Sequence, residues 1–170
     1  MTAGSRTDAV SSSLSPSAQR VQDALAAAGL DCRIVEHASS SRTSAEAAAL
    51  LGCDVAQIAK SLVFRRGGTD GAAVLVIASG ANRVDEAKVA SLLGEAIGRA
   101  DAAFVRTATG YAIGGIPPLG HATAMPVLVD RDLTAFDVVY AAGGTPNALF
   151  PIAPADLVRA SGGRLADVAP

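Results

Sequence analysis

Apolar positions recur at two spacings along this chain. From Ser15 to Gly29 they recur at helical spacing. Val21, Leu25 and Ala28 share one face, Ser15-Pro16 supplies an N-cap followed by proline at the first helical position, and Gly29 ends the run. Residues 32–37, "CRIVEH", alternate and predict a strand. Thr43 and Glu46 form a capping-box pattern for a helix closed by Gly52, and Asp54 with Gln57 repeat it for a short helix over 54–59. "SLVFR" (61–65) and "AAVLVIAS" (72–79) are predicted strands around a hairpin-like "RGGTDG". Residues 84–94 predict a helix capped by Asp85 and closed by Gly94. Strands are then expected over 125–130, 137–143 and 148–153, and a last helix from Pro154 to Gly162.

The order of elements is mixed, with consecutive strands in both halves. This predicts an α+β fold, with a mixed or barrel-like sheet and helices packed around it, rather than a doubly wound parallel one. Residues 1–14 are rich in Ser, Thr, Gly and Ala and are expected to be a disordered tail before one domain over 15–170.

Composition narrows the function. Half of the 170 residues are apolar but only 4% are aromatic, so the core must be built from Ala, Val, Leu and Ile. A net charge of −2 argues against a protein that coats nucleic acid non-specifically, while leaving room for one local basic patch. Cys32 and Cys53 lie far apart, outside any CxxC, which suits a reducing compartment. With His37 and His121 they show no zinc-finger spacing, so no metal and no cofactor is expected. No apolar run is long enough to span a bilayer, and the first residues lack a signal-peptide core, so the expected location is cytoplasmic.

Lys60, in "QIAKSLVF", falls at the expected junction of a short helix and an apolar strand. It reads either as a lysine snorkelling at the strand's entrance or as a point charge placed to grip a phosphate. Residues 110–121, "GYAIGGIPPLGH", hold four glycines and two adjacent prolines. They form either a plain turn or a rigid loop whose free main-chain N–H groups face a developing oxyanion. The segment is neither GxGxxG after a strand nor a Walker loop. "AGGTPN" (142–147) is a hairpin turn or a pocket wall. His37 and His121 are structural or acid–base groups. Arg65, Arg66 and Arg83, with Lys88, Arg99 and Arg106, are a solvated surface or a patch for RNA phosphates.

Together, "QIAKSLVF", "GANRVDEAKVASLLG", "TGYAIGGIPPLGH", "PVLVDRDL", "VYAAGG" and "ALFPIAPADLV" resemble the YbaK/ProX family of aminoacyl-tRNA deacylases. These are relatives of the editing insertion domain of bacterial prolyl-tRNA synthetase. The resemblance runs from about His37 to the end of the chain. It implies a barrel-like mixed sheet, and hydrolysis of the ester joining a wrong amino acid to tRNA. It implies that Lys60 holds the terminal adenosine's phosphate or the substrate, and that Gly114, Gly115 and Pro118 contact the ester through the main chain. Ile116, Pro117, Gly120 and His121 belong to the same loop, Gly143 and Gly144 to a turn closing the pocket, and His37 and Thr43 to the amino-acid pocket's boundary. The cysteine-removing branch has Ser where this chain has Pro117, which points to another small amino acid. The expected partners are mischarged tRNA and a synthetase, with neither membrane nor DNA. The expected mode is editing in trans. The alternatives are a non-catalytic module binding aminoacyl-tRNA or a synthetase, and a deacylase for another small acyl ester.

Overall fold

The chain's cap signals act where they stand. In the computed structural model, which describes residues 13–67 and 71–170, Ser15 caps helix α1 (Pro16–Ala27). Most of the expected tail, and 68–70 of the expected hairpin loop, lie outside the described residues. Thr43 caps α2 (Ser44–Leu51), its hydroxyl accepting from Glu46 N–H. Glu46 closes the box one residue early, on the N–H of Arg42. Asp85 caps α3 (Glu86–Leu93), and α5 (Pro154–Ser161) stops at Gly162.

Several boundaries differ from the pattern. The 32–37 strand shrinks to β1 (Val35–Glu36), which pairs with β7 (Ala148–Ile152). The 54–59 helix is a single 3-10 turn, Val55–Gln57, because the Asp54–Gln57 box closes one turn and pairing to β3 begins at Ala59. Strand β2 therefore runs Ile58–Arg66, with Lys60 as its third residue rather than at a helix junction. It pairs with β3 (Ala73–Ser79). Strands β5 (Val127–Asp130) and β6 (Val139–Ala142) are shorter than expected, and Pro126, lacking an N–H, precedes β5. The pattern did not reveal β4 (Ile97–Arg99), β8 (Arg164–Ala166), a 3-10 turn over Arg131–Ala135, or α4 (Ala102–Thr109), which Asp101 caps by accepting from Phe104 N–H.

The sheet is mixed, as expected, in the order β1-β7-β6-β2-β3-β5-β8 with β4 also on β2. Side chains alternate between its faces. One face carries Ala59, Val63, Leu75, Ile77, Val129, Val139, Ala141 and Phe150 into one core with α1, α4 and α5. The other carries two smaller cores. Val76 and Leu128 meet Val89 of α3, and Ile58 and Leu149 meet Ala47 and Ala48 of α2.

One irregularity matters most. The edge of β2 opposite β3 pairs with β6 at Ile58–Ala59 and with β4 at Phe64–Arg66. Between them, residues 60–63 have no strand on that side among the described residues, so the sheet is split beside Lys60.

Candidate functional site

A cleft of about 490 Å³ lies at that split, within the 300–1,000 Å³ range usual for ligand pockets. Its floor is β2 itself, from Ile58 to Leu62, and its sides come from both faces of the sheet. Ser41–Ala45 and Ala47 form one rim, Ile113, Gly114 and Ile116 another, and Ala142, Pro146, Ala148 and Leu149 a third. The charged residues lining it are Lys60 and Arg42. No cue in "SSSRTSAE" marked Arg42, because its place depends on α2 folding over a distant strand.

Lys60 is held rather than loose. Its Nζ donates to the main-chain oxygen of Asn82 at 2.6 Å. Burial pushes its pKa below the ordinary lysine value, and Asp130 acts in the opposite direction. An ammonium has three N–H donors, so two remain for a ligand. Beside it on β2, the Ser61 hydroxyl is buried without a partner among the described residues. Sequence reasoning missed Ser61, since its place in the cleft depends on the 113–116 loop and the 142–149 segment folding around β2.

The 110–121 loop is divided between cleft and core. Gly114 and Ile116 line the cleft, whereas Gly115, Pro117, Pro118 and Leu119 are buried against the protein. A Cβ on Gly115 would stand 2.7 Å from Thr145 Cα, so the loop and the 143–147 turn touch main chain to main chain. The Gly115 N–H is not free for an oxyanion, because it donates to Ala112 O at 3.0 Å. The N–H groups of Gly114 and buried Ile116 find no acceptor among the described residues. The unpaired N–H groups of this stretch are thus those of Gly114 and Ile116, not that of Gly115.

Other expected site residues stand behind the walls. His121 Nε2–H donates to Pro117 O at 2.7 Å and pins the loop. Burial lowers the His121 pKa, and that hydrogen bond partly offsets the effect. Gly120 O accepts from the Tyr111 hydroxyl. Gly143 packs on Ile34, and Gly144, at φ +103°, sits against the main chain of Ser17 in α1. His37 exchanges hydrogen bonds with Asn147, while its Nε2 is buried without a partner. Thr43 lines the cleft but spends its hydroxyl on the α2 cap. The cleft's first-turn residues Ser44 and Ala45 carry N–H groups that an α-helix leaves without an internal partner.

The arginines divide too. Arg65 lies over the Phe104 ring at 4.0 Å and 3.8 Å from Asp101, and Arg66 pairs with Glu95. Both are at the far end of β2 from Lys60. Arg83 is exposed and follows Asn82, the residue that anchors Lys60. Among the described residues no three His, Cys, Asp or Glu side chains gather as a metal site, and no helix is long and apolar enough to cross a membrane. A second hollow of about 560 Å³, between Phe136 and α5, has Asp137 as its only charged lining residue.

Comparison with known proteins identifies the family of the chain. Residues 38–160 match the model of the aminoacyl-tRNA editing domain. The chain is 32% identical over 124 residues to the uncharacterized protein YwhH of Bacillus subtilis (strain 168), spanning 73% of this chain and 78% of that one. A solved structure described as a proposed trans-editing enzyme for prolyl tRNA synthetase superposes with a TM-score of 0.86 at 46% identity, covering 93% of this chain and 99% of that chain. The crystal structure of the hypothetical protein APE2540 gives a TM-score of 0.81 at 35% identity, covering 89% of this chain and 99% of the other. With the family model spanning most of the chain and the cleft lying within it, this protein belongs to the aminoacyl-tRNA editing domain family.

Proposed function

We propose that this protein is a trans-acting deacylase of the cytoplasm that removes a small non-cognate amino acid from mischarged tRNA, with tRNA(Pro) as the first candidate. The observation that carries the reading is one cleft holding the Lys60 ammonium together with the unpaired N–H groups of Gly114 and Ile116. Family membership and the likeness to the prolyl-tRNA trans-editing structure support it.

In this reading water adds to the ester carbonyl, and the carbonyl oxygen takes up negative charge. The bond from carbonyl carbon to ribose oxygen then breaks, and that oxygen receives the proton lost by the water. An aminoacyl ester needs little activation, so the chain's task is to orient it and to stabilise the oxyanion. A well-aimed N–H donor contributes about 2.7–4 kcal/mol to such a step. Lys60 supplies positive charge for the oxyanion or for the terminal phosphate, and Arg42 adds a second cation at the rim. The proton carrier is the adjacent ribose hydroxyl or a second water, since the lining residues include no histidine or carboxylate.

The apolar lining, from Ile113, Ile116, Ala47 and Leu149, suits a small side chain. One methylene changes binding by only about 1–3 kcal/mol, so a synthetase pocket passes some smaller amino acids and a second, hydrolytic site restores fidelity. Pro117 lies behind the lining, so we infer that it acts by shaping the loop rather than by touching the substrate. The test is to incubate the protein with tRNA(Pro) charged with Ala, Ser, Thr or Cys and follow loss of the ester. Turnover of at least one is expected. No turnover of any at micromolar enzyme would reject the reading for that tRNA, and tight binding with an unchanged ester half-life would select a non-catalytic module.

A further inference from the structure

Behind Lys60 lies a carboxylate that the cleft never touches. Asp130 is 2% exposed, at the end of β5, and no cationic side chain pairs with it among the described residues. Its Oδ2 accepts from Ser79 N–H at 3.0 Å and from Asn82 Nδ2 at 2.8 Å, and its Oδ1 accepts from Asp132 N–H at 3.0 Å. Asn82 Nδ2 also donates to Asp132 Oδ2 at 2.8 Å. The carbonyl of this same Asn82 receives Lys60 Nζ at 2.6 Å.

The sheet explains the arrangement. Lys60 is opposite Ala78 in β3, and one step beyond the Ile77–Val129 pair brings Asp130 beside Ala78 on its other side. All three share one face, and alanine's single methyl group leaves open the space between the lysine and the carboxylate. Burying a carboxylate is costly unless donors satisfy it, and this one has three. The bond to Asp132 N–H caps the 131–135 turn, but the tie through Asn82 to the anchor of the cleft's lysine goes beyond capping.

We propose that Asp130 is a positioning residue: through the Asn82 side chain it fixes the carbonyl that holds Lys60, and it sets a carboxylate on the same face of the sheet beside the ammonium. The charged groups around Lys60 are Asp130 and Asp132, both behind Asn82, and Arg42 across the cleft. Burial opposes the ammonium and Asp130 favours it, so loss of Asp130 leaves burial unopposed.

The direct test does not depend on the editing reading, although its kinetic arm does. The chain has only two lysines, Lys60 and Lys88, so lysine labelled with ¹³C at Cε gives two signals, assigned by Lys88→Arg. In Asp130→Asn the Lys60 signal is expected to titrate at lower pH than in the wild type, while Lys88 is unmoved. A Lys60 titration identical to the wild type would overturn the proposal. Should Asp130→Asn not fold, Asn82→Ala serves, because Asn82 is partly exposed and its main-chain carbonyl remains. The two Lys60 Hε protons, inequivalent when the ammonium is held, are expected to converge in that variant; undiminished separation would overturn the proposal. On mischarged tRNA, Asp130→Asn should lower kcat by about tenfold to a hundredfold with little change in KM, and move the alkaline limb of the pH profile down in parallel. If no charged tRNA is a substrate, the deacylase reading fails while the NMR result still decides the role of Asp130.

Discussion

Gly115→Ala is the sharpest probe of how the cleft is built. The new methyl group would meet Thr145 Cα, C and N at 2.7–2.9 Å, all of them main-chain atoms. Ordinary contact begins near 3.4 Å, so loop and turn must part by roughly 0.7 Å. The turn cannot yield easily. Ser41 N–H donates to Pro146 O, Ala148 N–H to Thr145 O, and Asn147 is tied to His37. Overpacking of this kind costs about 1–3 kcal/mol. Taking about 2 kcal/mol, Tm should fall by about 4–8 °C for a chain of this size. The displaced segment carries the Gly114 and Ile116 N–H groups, so kcat should fall at least about tenfold, since a shift near 1 Å can cost a hundredfold. The assays are a thermal melt and ester loss from the best substrate of the charged-tRNA panel. Gly94→Ala is the control. Gly94 has φ +73° with open space around its Cβ position, so that variant should lose stability from backbone strain alone and keep kcat. Wild-type Tm and kcat in Gly115→Ala would refute the claim that loop and turn are locked together.

Lys60→Met should abolish most turnover yet leave Tm no lower. Burial holds the folded-state pKa of Lys60 below its unfolded value, so charging it opposes folding at neutral pH, and that opposition fades only as pH rises through the lowered pKa toward the ordinary lysine value. For the same reason wild-type activity should decline at alkaline pH below the ordinary lysine range, measured after subtracting spontaneous ester loss. Ser61→Ala removes a buried hydroxyl that lacks a partner, so Tm should hold or rise, while KM for charged tRNA should increase if the hydroxyl meets the substrate. His121→Ala should lower stability by about 1 kcal/mol through loss of the bond to Pro117, without changing the shape of the activity profile between pH 5 and 8. Because burial depresses the His121 pKa, its contribution is present above the unfolded value and is lost as pH falls through the folded one, so the pH dependence of Tm in acid should flatten in that variant.

What the sequence disclosed follows the range of the forces involved. Ser15, Thr43, Asp54 and Asp85 each cap a helical turn through donors two or three residues away, so the signal and its effect lie in one window. The long strands β2 and β3 were equally plain as runs of branched residues. Helix α4 was overlooked although Asp101 and Gly110 bracket it, because glycine, alanine and threonine around it resemble a loop. Strands β4 and β8 hold only three residues each and exist through their partners. The site behaves likewise. Lys60 and the glycine loop stood out locally, but Ser61, Arg42 and Asn82 acquire their places only when distant strands meet. That the unpaired N–H groups are those of Gly114 and Ile116, not that of Gly115, was hidden for a similar reason, since which N–H a tight turn consumes depends on its folded geometry.

The split beside β2 has an evolutionary consequence. The floor of the cleft is the main chain of a strand that also knits β3, β4 and β6 together, so it cannot change without rebuilding the sheet. The rim is made of side chains on α2, the 113–116 loop and the end of β7, none of which that pairing depends on. In the proposed reading the reaction rests on Lys60 and on main-chain N–H groups, and selectivity on side chains that share those segments. On that reading exposed Ile113 is the position a lineage can exchange most freely, because Ile116 and Leu149 are also packed into the cores. Divergence in what such a cleft admits would then begin at its exposed side chains, with the strand beneath left as it is.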